Sequence, residues 1–212
     1  MALTIALLGA ESTGKTTLSQ AMAGALRASG HRVEVVPEVL RAWCERERRT
    51  PRPDEQLPIA HEQEAKVDAA TSRAGIVIAD TTALMVAIYS GMLFEDGSLY
   101  GYALERQRRY DLTLVTGLDL PWVPDGLQRD GPQVQGPVDA LVREALQKAG
   151  VAYRVVYGRD EERTRNALSP VLALLGESPP QDSERVRWTW SCEKCSDPEC
   201  EHRLFAALKT PG

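Results

Sequence analysis

Near the start of the chain, Gly9-Ala10-Glu11-Ser12-Thr13-Gly14-Lys15-Thr16 fits G-x-x-x-x-G-K-[ST] at every fixed position. Residue types in this pattern serve phosphate chemistry. Gly9 and Gly14 let the backbone turn so that successive N–H groups point at phosphate oxygens. Lys15 is placed to reach β- and γ-phosphates, and the Thr16 hydroxyl to serve as a Mg²⁺ ligand. Glu11, Ser12, Thr13 and Thr17 complete the loop that would wrap the nucleotide. An ordinary glycine turn is the plain alternative, and the flanking pattern argues against it.

That pattern is strand, loop, helix. Thr4 to Leu8 is an apolar run of strand length, and Thr17 to Ser29 has Leu18, Met22, Ala25 and Leu26 at helical spacing, closed by Gly30. A helix starting near Lys15 adds the positive end of its dipole to the anion site. The loop reads as a nucleoside triphosphate site.

A second chemical signal is Asp80, at the end of the apolar run Ile76–Ala79. P-loop proteins use an Asp at such a strand end to hold the Mg²⁺ shell. Its neighbours narrow the class. Asp80-Thr81-Thr82-Ala83 is not the Asp-x-x-Gly of a GTPase switch, and the only asparagine, Asn166, is followed by Ala167, so no guanine-reading motif exists. Ala65-Lys66-Val67-Asp68 falls in an expected helix. A hydrolytic motor would carry Glu where Thr81 stands. A phosphotransferase, with a bound acceptor in place of water, is what remains.

Such an enzyme needs an acidic group near the acceptor hydroxyl and positive charge on the transferred phosphoryl group. Glu38 follows the second apolar run, Val33–Val36, at the edge where open α/β sheets bind ligands, and Arg41 lies one helical turn on. A helix cap or a surface ion pair is the plainer alternative for these two. The stretch GLDLPWVPDGLQRDGPQ has the composition of a water-excluding lid, and its Arg129 is a candidate phosphate contact. Lys15, Glu38, Asp80 and Arg129 are thus the candidate catalytic residues.

The remaining chain supplies the elements that position these groups. Strands at 4–8, 33–36, 76–79, 112–115 and 153–156 alternate with helices at 17–29, 39–47, 57–73, 83–93, 137–149 and 160–175. This alternation predicts an α/β fold: a P-loop NTPase with a five-stranded parallel sheet between helical layers. The expected organisation is a kinase-like domain over 1–176, a linker over 177–183 and a Cys- and Trp-rich appendage over 184–212.

Composition bounds the partners. With 25 Lys+Arg against 30 Asp+Glu, the chain has no general attraction to nucleic acid, and acids interrupt the basic stretch RAWCERERRTPRP. No run approaches the roughly 18 apolar residues of a membrane span. Met1 leads straight into the first strand without a leader pattern, so the expectation is a cytoplasmic protein. In the appendage, Cys192, Cys195, Cys200 and His202 are candidate ligands of a tetrahedral structural zinc; free thiols on a packing segment are the alternative. Cys44 reads as a buried thiol on the second helix, His31 as a solvated turn residue and His61 as a helix-surface residue.

Several stretches, taken in order, resemble the kinase domain of the NadR-type nicotinamide riboside kinases and their AAA-like relatives. They are GAESTGKTTL, PEVLR, IAHEQEAKVDAA, ADTT, RYDLTLV and, most specific, PWVPDGLQRDG; the resemblance as a whole covers residues 3–175. The resemblance implies a kinase that uses ATP and Mg²⁺ to phosphorylate a nucleoside-like 5′-hydroxyl, nicotinamide riboside first among the acceptors. It also implies that Trp122 and Asp125 join Glu38 and Arg41 in binding the substrate. The chain departs from these relatives at Thr82, where many have a second Asp, and at Pro37, where an aromatic ring is expected. A different reading is an ATP-binding regulatory or scaffold protein with little turnover.

Overall fold

The computed structural model describes residues 2–123 and 131–177. Residues 76–80 show how the fold begins. Ile76–Asp80 (β3) is buried along its whole length, as a strand covered on both faces must be, and its apolar run gives no reason to leave the interior. It pairs in parallel with Leu3–Leu8 (β1) on one side and with Val33–Val36 (β2) on the other. Leu112–Thr116 (β4) pairs with β1, and Arg154–Val156 (β5) with β4. The sheet is five-stranded and parallel, in the order β2-β3-β1-β4-β5.

The pleat sends alternate side chains to opposite layers. Ile5, Leu7, Ile76, Ile78, Leu114 and Val156 pack against Lys15–Ala28 (α1) and Asp160–Leu175 (α7). On the other face, Val77, Ala79 and Val36 meet Val67 and Ala70 of Pro53–Thr71 (α3). Leu8 and Val115 meet the core formed by α3, Val39–Glu47 (α2), Ala83–Phe94 (α4), Tyr100–Gln107 (α5) and Gln135–Lys148 (α6). Helices thus cover both faces of the parallel sheet, as the alternation of runs predicts.

Two helices differ most from the sequence expectation, which also lacks the short 3-10 helix Pro132–Val134. The helix expected at 57–73 begins at Pro53, whose fixed φ suits a first helical position, with Asp54 and Glu55 favouring the positive helix end. Helix α5 is absent from the sequence expectation; Gly97 and Gly101 near its start disguise it, and only Ala103 and Gln107 of the helix are buried. His31 is more than a solvated turn residue, since its Nε2 lies 3.1 Å from a carboxylate oxygen of Glu177. Cys44 is buried on α2, and His61 is an exposed helix residue that touches the ring of Tyr102. Among the described residues, no helix is long and apolar enough to cross a membrane.

Candidate functional site

The order of the strands brings the chemical residues together. β1 ends in the glycine loop, and its neighbour β3 ends in Asp80, which lies opposite Leu7 in the ladder. On the far side of β3, Val36 of β2 lies opposite Ala79, so Glu38 leaves the same sheet edge beside Asp80. On the other side of β1, β4 brings Thr116 under the loop.

The loop is held tightly from below. Gly9 has φ +143°, and a Cβ there would lie 2.0 Å from Thr116 Oγ1, so no other residue fits. Thr13 Oγ1 donates to the Ala10 carbonyl at 2.8 Å and lies 2.6 Å from Thr116 Oγ1. Thr116 Oγ1 in turn lies 3.2 Å from the Leu8 carbonyl. Ser12 has φ +56° and Gly14, the N-cap of α1, has φ +75°; a loop with left-handed residues turns its amides inward to form an anion cradle. Lys15 Nζ donates to the carbonyls of Gly9 (2.9 Å) and Ala10 (2.7 Å), which holds the ammonium over the loop. Thr16 and Thr17 are exposed at the start of α1.

Asp80 is 2% exposed, and its Oδ1 has no hydrogen-bond partner. A buried carboxylate oxygen left unpaired is costly unless something outside the protein completes it. Together with the exposed Thr16 at the start of α1, this donor set of hard oxygens fits Mg²⁺. The next residue, Thr81, has φ +82°, an uncommon conformation for a β-branched side chain, and its amide donates to the Leu7 carbonyl at 3.1 Å. Thr82 Oγ1 then caps α4 by accepting from Leu84 N, and donates to Gln107 Oε1 at 2.7 Å.

Behind this turn, Glu64 of α3 is almost fully buried. Its carboxylate accepts from Ala83 N (2.9 Å), Arg106 Nε (3.2 Å) and the Tyr110 hydroxyl (3.1 Å). Burial, and then the negative charge of Glu64, push the Tyr110 phenol well above its ordinary pKa, so it stays a donor. The network fixes the start of α4 and therefore the backbone that follows Asp80.

Glu38 is the N-cap residue of α2 but makes no capping bond with its side chain. Gln63 of α3 serves this helix end instead, its Oε1 accepting the Val39 amide at 2.8 Å. Arg41 Nε lies 3.4 Å from Glu38 Oε2, so the ion pair named above as the plainer alternative forms, with the carboxylate still partly accessible. Trp122 is half-buried, and its Nε1 has no partner among the described residues. Ser12 Oγ bonds both the carbonyl and the amide of Val123, and Gln135 Nε2 donates to the Glu11 carbonyl at 2.7 Å. Asp125, Arg129, Cys192, Cys195, Cys200 and His202 lie outside the described residues, as do the expected appendage and all of the linker beyond residue 177.

Sequence reasoning missed Thr116, Gln63, Glu64, Asp119 and Arg163. The last two form an ion pair beside the loop, with Arg163 buried and Asp119 half-buried: Arg163 Nη1 donates to Asp119 Oδ1 at 2.8 Å, and Nη2 to the Thr13 carbonyl at 3.0 Å.

Comparison with known proteins agrees with this fold. No curated protein matches the chain. Among solved structures, a crystal structure of NadR protein in complex with NAD and AMP-PNP superposes with a TM-score of 0.67 at 19% identity, covering 84% of this chain and 50% of that one. A crystal structure of NadR protein in complex with NR gives 0.69 at 21% identity, covering 86% of this chain and 54% of that one. The chain thus spans about half the length of these proteins, and at such identity the likeness speaks to the fold. Residues 4–163 match the AAA_28 family, described as an AAA domain. With most of its length matched and an intact phosphate loop, the chain belongs to this family of P-loop AAA domains.

Proposed function

We propose that the protein is an ATP-dependent phosphotransferase acting on a hydroxyl of a nucleoside-like small molecule, with nicotinamide riboside the first candidate. One observation carries this reading: a carboxylate free of capping duty, Glu38, leaves the sheet edge beside the unpartnered Asp80 and the lysine-bearing loop. In a protein that only hydrolyses ATP, the residue after Asp80 would hold a water; here it is Thr81, 2% exposed and turned into the sheet edge by its hydrogen bond to Leu7.

The roles follow from position. The loop amides and Lys15 bind the triphosphate, and Lys15 stabilises charge on the oxygens of the transferred group. Mg²⁺, held by Asp80 and Thr16, would supply charge neutralisation between the phosphates. Glu38 accepts the proton of the acceptor hydroxyl as its oxygen bonds to the γ-phosphorus and the bond to ADP breaks. Arg41 keeps the Glu38 carboxylate oriented. Trp122, Asp125 and Arg129 are candidates for contact with acceptor and phosphoryl group. Cys192, Cys195, Cys200 and His202 remain candidate ligands of a structural zinc, which elemental analysis of untagged protein decides.

Support for the acceptor class comes from the NR complex among the similar folds and from the sequence resemblance. The test is ADP production by purified protein with ATP and Mg²⁺ against a panel of nucleosides that includes nicotinamide riboside. Phosphorylated product in proportion to one acceptor is expected. Trace ADP release indifferent to every acceptor overturns the reading in favour of an ATP-binding regulatory protein.

A further inference from the structure

Arg163, in the first turn of α7, is 4% exposed, and its guanidinium touches three separate loops. Nη2 donates to the carbonyls of Thr13 (3.0 Å) and Gly117 (3.4 Å). Nη1 donates to Asp119 Oδ1 (2.8 Å) and to the Gly158 carbonyl (3.0 Å). Asp119 completes the ring, since its Oδ2 accepts the Gly158 amide at 2.6 Å. Thr13 belongs to the phosphate loop after β1, Gly117 and Asp119 to the turn after β4, and Gly158 to the turn after β5. These strands are neighbours in the sheet, so one side chain ties together three adjacent corners of its ligand edge.

Stability alone is a poor account of this arrangement. Taking the Arg163 guanidinium out of water costs several kcal/mol, and apolar residues of similar volume commonly stabilise as well or better. A planar fork does something apolar packing cannot: it fixes the distances between the backbones it bridges. The backbone it grips is the part of the phosphate loop most in need of support. Thr13 lies between Ser12 and Gly14, both at positive φ, and such a conformation persists only when its surroundings enforce it.

We propose that Arg163, working with Asp119, is a positioning residue for the nucleoside triphosphate. It holds the Thr13 carbonyl outward so that the loop amides stay turned toward the phosphates, and it locks that loop to the β4 and β5 turns. The inference rests on the reading of residues 9–16 as the ATP site.

The test measures the affinity of ATP–Mg²⁺ and of inorganic triphosphate–Mg²⁺ by calorimetric titration for wild type, Arg163→Lys, Arg163→Met and Asp119→Asn. Melting curves and circular dichroism accompany each titration. Arg163→Lys keeps the charge and loses the fork, so it should weaken both ligands at least about tenfold in protein that is fully folded at the assay temperature. Arg163→Met should do at least as much, and Asp119→Asn less. Combined with Arg163→Met, Asp119→Asn should cost little more, because the two act as a unit. In turnover, KM for ATP should rise while KM for the acceptor stays put. A merely structural arginine would lower the melting temperature and leave the affinity of the folded protein within about twofold, and that result overturns the proposal. If Arg163→Met does not fold, Arg163→Lys and Asp119→Asn decide between the same two outcomes. Wild-type protein that binds ATP but phosphorylates no acceptor overturns the kinase reading alone. Wild-type protein that binds neither ligand overturns both.

Discussion

Gln63 Oε1 accepts the Val39 amide at 2.8 Å, so a side chain from α3 satisfies the first amide of α2 while the N-cap residue Glu38 makes no capping bond. The division of labour has a measurable consequence. Gln63→Ala leaves a buried amide unsatisfied, which costs about 1–3 kcal/mol, or about 2–10 °C in melting temperature for a domain of this size. Glu38→Gln breaks no cap. It should move the melting temperature by less than about 2 °C, leave ATP affinity unchanged and lower kcat by about a hundredfold or more. Normal turnover by Glu38→Gln would remove Glu38 from the chemistry.

Lys15 rests on the carbonyls of Gly9 and Ala10, and its loss should leave the fold intact because the side chain is only partly buried and belongs to none of the three apolar cores. ATP–Mg²⁺ at about a hundred times its Kd stabilises a binding protein by about 2.7 kcal/mol. The wild type should therefore melt about 5–10 °C higher with the ligand. For Lys15→Ala the increase should fall below about 1 °C at the same concentration. An equal increase in the variant contradicts the assignment.

Glu64 faces three donors, from Ala83, Arg106 and Tyr110. Glu64→Gln turns an amide NH₂ toward groups that all donate, and it removes the charge that compensates Arg106. Arg106 keeps Asp68 at 2.6 Å, so the cost should be about 3 kcal/mol, near the lower end of that for breaking a buried pair. Urea denaturation should show the midpoint falling at constant slope. A loss below about 0.5 kcal/mol would mean that the network relaxes freely, and that the backbone after Asp80 is held by something else.

The glycine loop, the strand ending in Asp80 and the alternation of strands and helices were legible in the sequence because each is local. A phosphate loop is one contiguous motif, and a buried parallel strand is one apolar run. What stayed hidden is carried by polar side chains that meet across long stretches of chain. Gln56, Gln63 and Glu64 are buried on α3, where a sequence pattern reads them as solvent-facing. Asp119 and Arg163 lie on separate turns, and nothing in the spacing of either marks the other; only the strand order brings them to the same edge. Helix α5 escaped for the opposite reason, since its glycines and short buried face leave no period to read.

The Asp119–Arg163 pair also predicts a pH dependence whose sign is fixed. Burial alone would push the Asp119 carboxyl up, and the hydrogen bonds from Arg163 and from the Gly158 amide more than reverse this, holding it below the usual carboxylate range. A carboxylate depressed in the folded state contributes stability that is fully present above its ordinary value of about 4 and is lost as the pH falls through the lower folded value. The difference in melting temperature between wild type and Asp119→Asn should therefore be constant from about pH 7 to pH 5 and shrink below about pH 4. Because both proteins carry all the other carboxylates, the comparison cancels those that titrate in the same range. Melting curves of both proteins at half-unit steps down to about pH 3 measure it directly. A difference that is flat down to pH 3, or that widens on acidification, would show that Arg163 holds its loops without an ionised partner at Asp119.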